Sequence, residues 1–263
     1  MALTIADLHK KKAAGEKISM ITTYDATFAR LVEKAGIDMI LIGDSLGNVI
    51  QGRPNTLAVT VEDVIYHSQC VMRGCSTPFV VTDMPFGSYQ TSDEDGVRAG
   101  IRILKEGGTH AVKIEGGARV VPLVTRLVQA GVPVMGHLGL TPQSVNTLSG
   151  YHVQGKGGEA DVIASNALAL QRAGCFSLVL ECVPRALAKR IQDSLDIPVI
   201  GIGAGPDCAG QVLVLQDALG LSASAPKFVR KFASIAELST NALRDYAQAV
   251  RDGSFPADTE SYH

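Results

Sequence analysis

Residues 111–137 read AVKIEGGARVVPLVTRLVQAGVPVMGH. The stretch opens on a β-branched and apolar run, Ala111 to Ile114. It crosses a Gly-Gly break and continues from Val120 to Ala130 with apolar residues spaced for one helical face. After Gly131 it enters a second apolar run, Val132 to Gly136. A strand, a helix and a strand in this order form a βαβ unit whose strands lie parallel. The first run is followed by Glu115 and the second by His137, so both strands deliver an ionisable group at the same end of the sheet.

The pattern repeats outward in both directions. Further strands are predicted over Ile18 to Thr23, Met39 to Gly43, Phe79 to Thr82, Leu178 to Leu180, Val199 to Ile202 and Val212 to Leu215. Amphipathic helices are predicted over Ala26 to Ala35, Val61 to Arg73, Asp93 to Glu106, Glu159 to Ala173 and Arg185 to Leu195. Gly36, Gly74, Gly107, Gly131 and Gly174 stand where left-handed C-terminal caps belong. Ile5 to Lys12 reads as a short first helix, and Ala236 to Arg251 as a terminal amphipathic helix packed outside the sheet. Eight parallel strands in 263 residues match a single α/β barrel, which typically runs to about 250 residues. An open doubly wound sheet would carry a Gly-rich dinucleotide fingerprint after its first strand. Here that strand runs into Thr22-Thr23-Tyr24-Asp25. The expectation is one (β/α)8 TIM barrel domain over residues 1–263.

Composition limits the partners. With 24 Lys+Arg against 26 Asp+Glu and a net charge of −2, the chain lacks the basic footprint that nucleic acid or anionic lipid requires. A small-molecule ligand is expected instead. Cys70, Cys75, Cys175, Cys182 and Cys208 form no C-x-x-C pair and read as reduced intracellular thiols. His9 to Lys12 lead into a polar stretch rather than the apolar core of a signal peptide. No apolar run approaches the roughly 18 residues of a membrane span. The chain reads as soluble and cytoplasmic.

In a barrel of this kind the C-terminal strand ends supply the chemistry. Five consecutive apolar runs end in ionisable residues: ILIG before Asp44-Ser45, VVT before Asp83, AVKI before Glu115, PVMG before His137 and LVL before Glu181. One such carboxylate reads as a helix cap. Several converging on one mouth would repel and need a cation. Asp44, Asp83 and Glu115 are hard oxygen ligands suited to Mg²⁺, whereas zinc usually takes more His or Cys. Lys113 lies two residues before Glu115 and therefore points the same way, into the barrel. It either pairs with a carboxylate or recognises a substrate oxyanion. A lone strand-end His137 reads as a hydrogen-bonding residue, and its company raises the case for a functional one. Glu181, between Leu178-Val179-Leu180 and Cys182, has the partly apolar setting of a general base; the alternative is a group that orients a metal-bound water. Gly201-Ile202-Gly203-Ala204-Gly205 reads either as a phosphate loop or as a place of close backbone approach. Thr141 to Gly158 is a long polar connection, read as a lid or as a surface packed on a neighbouring subunit.

Taken together, TTYD (Thr22 to Asp25), GDSLG (Gly43 to Gly47), DMPF (Asp83 to Phe86), VKIEGG (Val112 to Gly117), GHLGLTPQSVN (Gly136 to Asn146), LECVP (Leu180 to Pro184) and GIGAG resemble the 3-methyl-2-oxobutanoate (ketopantoate) hydroxymethyltransferase family. The resemblance runs from about Ile18 to Phe232. It implies a barrel of the phosphoenolpyruvate/pyruvate-binding type and one Mg²⁺ per subunit. The implied reaction transfers a one-carbon unit from 5,10-methylenetetrahydrofolate to 3-methyl-2-oxobutanoate through a Mg-stabilised enolate, giving 2-dehydropantoate in pantothenate biosynthesis. A cytoplasmic homodecamer of two stacked pentamers is also implied. By the same resemblance Asp44, Asp83 and Glu115 are metal ligands and Ser45 and Lys113 contact the oxoacid. Asp44, Asp83 and His137 also line the substrate site, and Glu181 is the proton acceptor. Two departures stand out: Ala209 where many members carry Asp, and Gln216 where His is common. The competing readings are a Mg-dependent 2-oxoacid lyase or mutase barrel, which shares the acidic set, and a non-catalytic oxoacid-binding barrel.

Overall fold

The Thr4 hydroxyl accepts a hydrogen bond from Asp7 N–H, and the Asp7 carboxylate accepts one from Thr4 N–H. This capping box starts α1 (Ile5–Ala13). The computed structural model describes residues 2–263. Leu8 of α1 is fully buried and shares one apolar cluster with Ile18, Met39, Phe79 and Phe176. His9 bonds to the Phe176 carbonyl and Lys12 donates to the Leu195 carbonyl. The helix thus closes the floor of the structure that follows.

That structure is a closed barrel of parallel strands: β1 (Ile18–Thr22), β2 (Met39–Ile42), β3 (Phe79–Asp83), β4 (Ala111–Glu115), β5 (Val134–Gly139), β6 (Ser177–Glu181), β7 (Val199–Ile202) and β8 (Gly210–Leu213). Each pairs with its neighbour in sequence, and β8 returns to β1. Between them run α2 (Ala26–Lys34), the short α3 (Leu46–Val49), α4 (Val61–Met72), α5 (Asp93–Gly107), α6 (Val121–Gln129), α7 (Glu159–Arg172) and α8 (Arg185–Ser194). The expected (β/α)8 barrel is what the chain forms. By compactness the chain divides into two units. The first runs to Val214 and holds the barrel, and the second, Leu215–His263, holds α9 (Leu215–Ala218) and α10 (Ile235–Asp252). None of the residues of α10 is buried, and Leu238, Leu243 and Tyr246 are exposed.

Several elements depart from the sequence reading. β5 begins at Val134 rather than Val132, beyond Pro133, which has no N–H to give to a ladder. It extends to Gly139, so His137 stands inside the strand. β8 begins at Gly210, where the Ile18 carbonyl lies too close for any Cβ. The cap of α5 is Gly108 (φ 74), with Gly107 still inside the helix. Gly74 is demanded by the approach of α2, since a Cβ there would meet Ala29 Cβ at 2.8 Å. The chain passes from β7 to β8 through residues 203–209 without a helix. Gly203 (φ 62) and Gly205 (φ 82) make that short return, and a Cβ on Gly205 would meet Arg185 Cγ at 2.8 Å, a close approach of the kind read for the GIGAG stretch. Ala209 closes the return at the floor, its carbonyl accepting from Ile18 N–H and its N–H donating to Gln192 Oε1.

Candidate active site

Within the barrel the period of two sorts side chains by height. The inward series runs Phe79, Val81, Asp83 on β3; Ala111, Lys113, Glu115 on β4; Met135, His137 on β5; and Val179, Glu181 on β6. Apolar residues fill the lower layers and ionisable ones form the top. Register places Asp83 beside Lys113 and Glu115 beside His137. All seven residues singled out from the sequence, Asp44, Ser45, Asp83, Lys113, Glu115, His137 and Glu181, line one cavity of about 110 Å³ under Pro142. That is well below the roughly 300–1,000 Å³ of sites for drug-sized ligands and suits a compact one.

The charges are tightly meshed. Lys113 Nζ lies 2.9 Å from Asp83 Oδ1 and 3.1 Å from His137 Nδ1. Asp83 Oδ2 accepts from Asp44 N–H at 2.9 Å. His137 Nδ1 is 3.4 Å from Glu115 Oε1, and its Nε2 is 3.3 Å from Glu181 Oε2. Lys113 makes the expected ion pair with a carboxylate, and the same ammonium faces the cavity. Asp44 is not a helix cap: α3 has Ser45 as its first flanking residue, with no side-chain capping bond. The Asp44 carboxylate is bonded by Gln143 instead.

Four carboxylates face two bases here, and ionisation follows from that imbalance. Burial, then the neighbouring Asp83 and Glu115 charges, push Asp44 well above the usual carboxylate range, against the opposing pull of Lys113 and the Gln143 amide. Burial also opposes ionisation of Glu115, but His137, Lys113 and the Gln143 N–H outweigh it and hold Glu115 below its ordinary value. Burial likewise works against Lys113, and Asp83, Glu115 and Asp44 overcome it and keep the ammonium charged. Burial and Lys113 oppose protonation of His137, while Glu115 and Glu181 favour it and prevail. The 3.1 Å contact with Lys113 needs a lone pair on Nδ1, in tension with that upward direction. Glu115 and Glu181, one beside each ring nitrogen, decide the balance in favour of the protonated ring. In either state Nε2 is the nitrogen whose proton faces Glu181.

Among the described residues no three His, Cys, Asp or Glu side chains form a ready-made metal cage. The donor set nevertheless fits a hard divalent cation with open positions for water and substrate. It consists of buried carboxylates without thiolates, and Asp83 Oδ1 and Glu115 Oε1 are buried with no hydrogen bond of good geometry.

Three polar residues of the site escaped the strand-end reading. Tyr24, buried, places its hydroxyl 2.7 Å from Ser45 Oγ. Tyr89 and Gln143 are both buried and joined by a 2.7 Å hydrogen bond. Tyr24 follows a strand end and Gln143 lies in the turn just beyond β5, so a search one turn past each strand would have reached both. Cys182 adopts φ 48 directly after Glu181. A non-glycine residue in that region carries strain of order 1 kcal/mol, and such residues cluster at functional sites.

A sequence profile described as ketopantoate hydroxymethyltransferase matches residues 2–258. The chain is 51% identical over 267 residues to the 3-methyl-2-oxobutanoate hydroxymethyltransferase of Anaeromyxobacter dehalogenans, covering 99% of this chain and 87% of that protein. It is 51% identical to the protein of the same name from Moorella thermoacetica, covering 99% and 97%. Among solved structures, phosphonopyruvate hydrolase in complex with oxalate and Mg²⁺ superposes with a TM-score of 0.64 at 12% identity, over 97% of this chain and 92% of that one. 2,3-Dimethylmalate lyase, a member of the PEP mutase/isocitrate lyase superfamily, gives 0.60 at 17%, over 100% and 92%. At these identities the structural likeness establishes the barrel fold.

Proposed function

The chain belongs to the ketopantoate hydroxymethyltransferase family, and from that premise we propose how its barrel mouth carries out the transfer. The enzyme is a hydroxymethyltransferase of pantothenate biosynthesis acting on 3-methyl-2-oxobutanoate. The one-carbon donor in this reading is 5,10-methylenetetrahydrofolate. The observation that carries the reading is the convergence of Asp44, Asp83, Lys113, Glu115, His137 and Glu181 on one small cavity.

Asp44, Asp83 and Glu115 would hold Mg²⁺, which when bound supplies Lewis-acid stabilisation for negative charge developing on the keto oxygen of the substrate. Lys113, kept charged by its acidic neighbours, binds the oxoacid as an anion. Ser45, whose Oγ is fixed by the Tyr24 hydroxyl, orients it. Glu181 takes the C3 proton: the C–H electron pair stays on the substrate, and the proton goes to a Glu181 oxygen. Glu181 Oε2 lies 3.3 Å from His137 Nε2, and the proton on that nitrogen holds the carboxylate in place to accept the one from C3. The carbanionic C3 bonds to the methylene carbon as that carbon's bond to one folate nitrogen breaks. Water then displaces the second nitrogen and leaves its oxygen as the product hydroxyl, and the two protons, one taken from C3 through Glu181 and one from the water, end on the two nitrogens of tetrahydrofolate. The apolar walls made by Leu41, Val179, Ile202 and Val212 keep bulk water from the reacting carbon.

The proposal extends to a homodecamer of two pentamers in the cytoplasm. The apolar residues exposed along α10 support assembly with further copies, and light scattering after size exclusion measures it. Among the described residues no helix is long and apolar enough to cross a membrane.

Proton NMR of 3-methyl-2-oxobutanoate in deuterated water tests both half-reactions. With protein and Mg²⁺ the C3–H signal should vanish, and added methylenetetrahydrofolate should produce a hydroxymethyl resonance. Absence of exchange under every metal tried would replace this reading with a binding barrel. Cleavage of a substrate without folate would replace it with a lyase.

A further inference from the structure

Gln143 stands in the turn Pro142–Ser144 immediately beyond β5, and it is only 6% exposed although it belongs to a polar loop. A buried amide is tolerated when its donors and acceptors are met, and here they are met by the site. Its Nε2 donates to Asp44 Oδ2 at 3.0 Å and to the Met84 carbonyl at 2.9 Å. Its Oε1 accepts from Tyr89 OH at 2.7 Å and Gln90 Nε2 at 3.1 Å. Its backbone N–H donates to Glu115 Oε2 at 3.0 Å. The amide has one orientation only, because turning it over would set its oxygen against a carboxylate and a carbonyl, neither of which can donate. Tyr89 holds that orientation: its hydroxyl oxygen is 3.3 Å from Glu115 N–H, which donates to it, leaving the hydroxyl proton for Gln143.

We propose that Gln143 is a positioning residue for the metal carboxylates, fixing Asp44 and Glu115 by one oxygen each so that their remaining oxygens serve a divalent cation. The inference rests on the reading of Asp44, Asp83 and Glu115 as that cation's ligands. Buried carboxylates this close repel one another, and each escapes by rotating away or taking a proton. A neutral amide and a backbone N–H from one turn remove both escapes. They occupy Asp44 Oδ2 and Glu115 Oε2 without adding a positive charge that would compete with the ion. Glu115 Oε1, buried and 3.4 Å from His137 Nδ1, is the oxygen that Gln143 leaves to the site, beside Asp83 Oδ1, which pairs with Lys113 Nζ at 2.9 Å. The first turn of the long loop after β5 is therefore part of the cradle itself, whatever the rest of the loop covers.

Mn²⁺ serves as the probe, with free ion counted by electron paramagnetic resonance on the full-length protein without substrate. The wild type is compared with Gln143→Leu and Tyr89→Phe, and each variant's fold is checked by circular dichroism and thermal midpoint. Groups that orient metal ligands typically cost about 10–100-fold in metal affinity when removed. Gln143→Leu is expected to lose that much while remaining folded. Tyr89→Phe, which keeps the ring and removes only the hydroxyl that aims the amide, is expected to lose about 3–10-fold, a fraction of that range. Should Gln143→Leu fail to fold, Tyr89→Phe decides. Wild-type Mn²⁺ affinity in the folded variant overturns the proposal alone. A wild-type protein that takes up no Mn²⁺ overturns the metal reading and the proposal with it.

Discussion

At the floor of the barrel Asp38 accepts from the Ser19 N–H and hydroxyl, each at 2.9 Å, and faces Lys11 Nζ at 2.9 Å. At the mouth, just past the far end of β2, Asp44 faces Asp83 and Glu115 and has one amide donor from Gln143. Both carboxylates are flanked by β2, yet folding treats them oppositely. Burial works against Asp38, but the Ser19 and Lys11 bonds prevail and its acidity rises. For Asp44, burial and like charge act together and its acidity falls. A carboxyl group made more acidic by folding stabilises the protein at neutral pH, and one made less acidic destabilises it. The floor therefore uses charge to hold the barrel closed. The mouth crowds four carboxylates around Lys113 and His137, more than these two bases can balance.

The largest effect expected from this contrast is at the mouth and is chemical. Glu181→Gln removes the proton acceptor while keeping the shape, and a positioned general base contributes about 10²–10⁴-fold. Exchange of C3–H with deuterated solvent should fall by that factor, with Mg²⁺ and oxoacid binding by calorimetry nearly unchanged. Exchange at the wild-type rate removes Glu181 from the role. At the floor the same kind of change acts on stability instead. Asp38→Ala leaves Ser19 and Lys11 without their acceptor and should cost about 1–3 kcal/mol in urea unfolding, with activity per folded molecule intact. A loss of kcat at equal folded fraction would mean that floor and mouth are not separable.

The contrast also explains what could be read from the residues in order. Parallel strands were legible because buried β-runs such as Phe79–Val81 and Leu178–Leu180 alternate with helical segments. The candidate site was legible because a strand lifts an ionisable residue to a known end of the barrel. Less legible were features set by tertiary contact. The helix-free return through residues 203–209 shows only as extra glycines. The cap at Gly108 competes with an adjacent glycine that local pattern cannot distinguish. Gln143 reads as loop polarity, and its burial follows from Asp44, Met84, Tyr89 and Glu115 arriving from three other parts of the chain. Roles that depend on distance between loops and strand ends are written in the fold rather than in any one segment.

A smaller effect of opposite sign sharpens the comparison at the mouth. The folded Asp44 ionises less readily than its unfolded counterpart, whose ordinary value is 3.8. As pH rises above that value the unfolded chain gives up the proton more easily and stability falls. Asp44→Asn removes the ionisation, so with EDTA present at pH 7–8 its thermal midpoint should exceed the wild type's by a few degrees. Mg²⁺ should raise the wild-type midpoint and leave that of the variant nearly unmoved. A variant that melts lower than the metal-free wild type would mean that the Gln143 bond outweighs the repulsion.

The smallest effect belongs to Glu33 at the floor, whose Oε1 accepts from Ser76 N–H at 2.8 Å, Thr77 N–H at 2.7 Å and both neighbouring hydroxyls. The Ser76 N–H first, then the Thr77 hydroxyl, lower its pKa from 4.5 to about 2. Because the folded value is depressed, the stabilisation is fully present above pH 4.5 and is lost as pH falls through about 2. The group is largely solvated, and screening trims its worth to about 0.5–1 kcal/mol. Glu33→Gln should therefore unfold at slightly lower urea than the wild type at pH 7, with the difference closing between pH 4.5 and about 2. A difference that stays constant across that range would show that shape rather than charge holds this corner. The floor would then differ from the mouth in packing alone, and the opposition between Asp38 and Asp44 would be a local accident instead of a division between the two ends of the barrel.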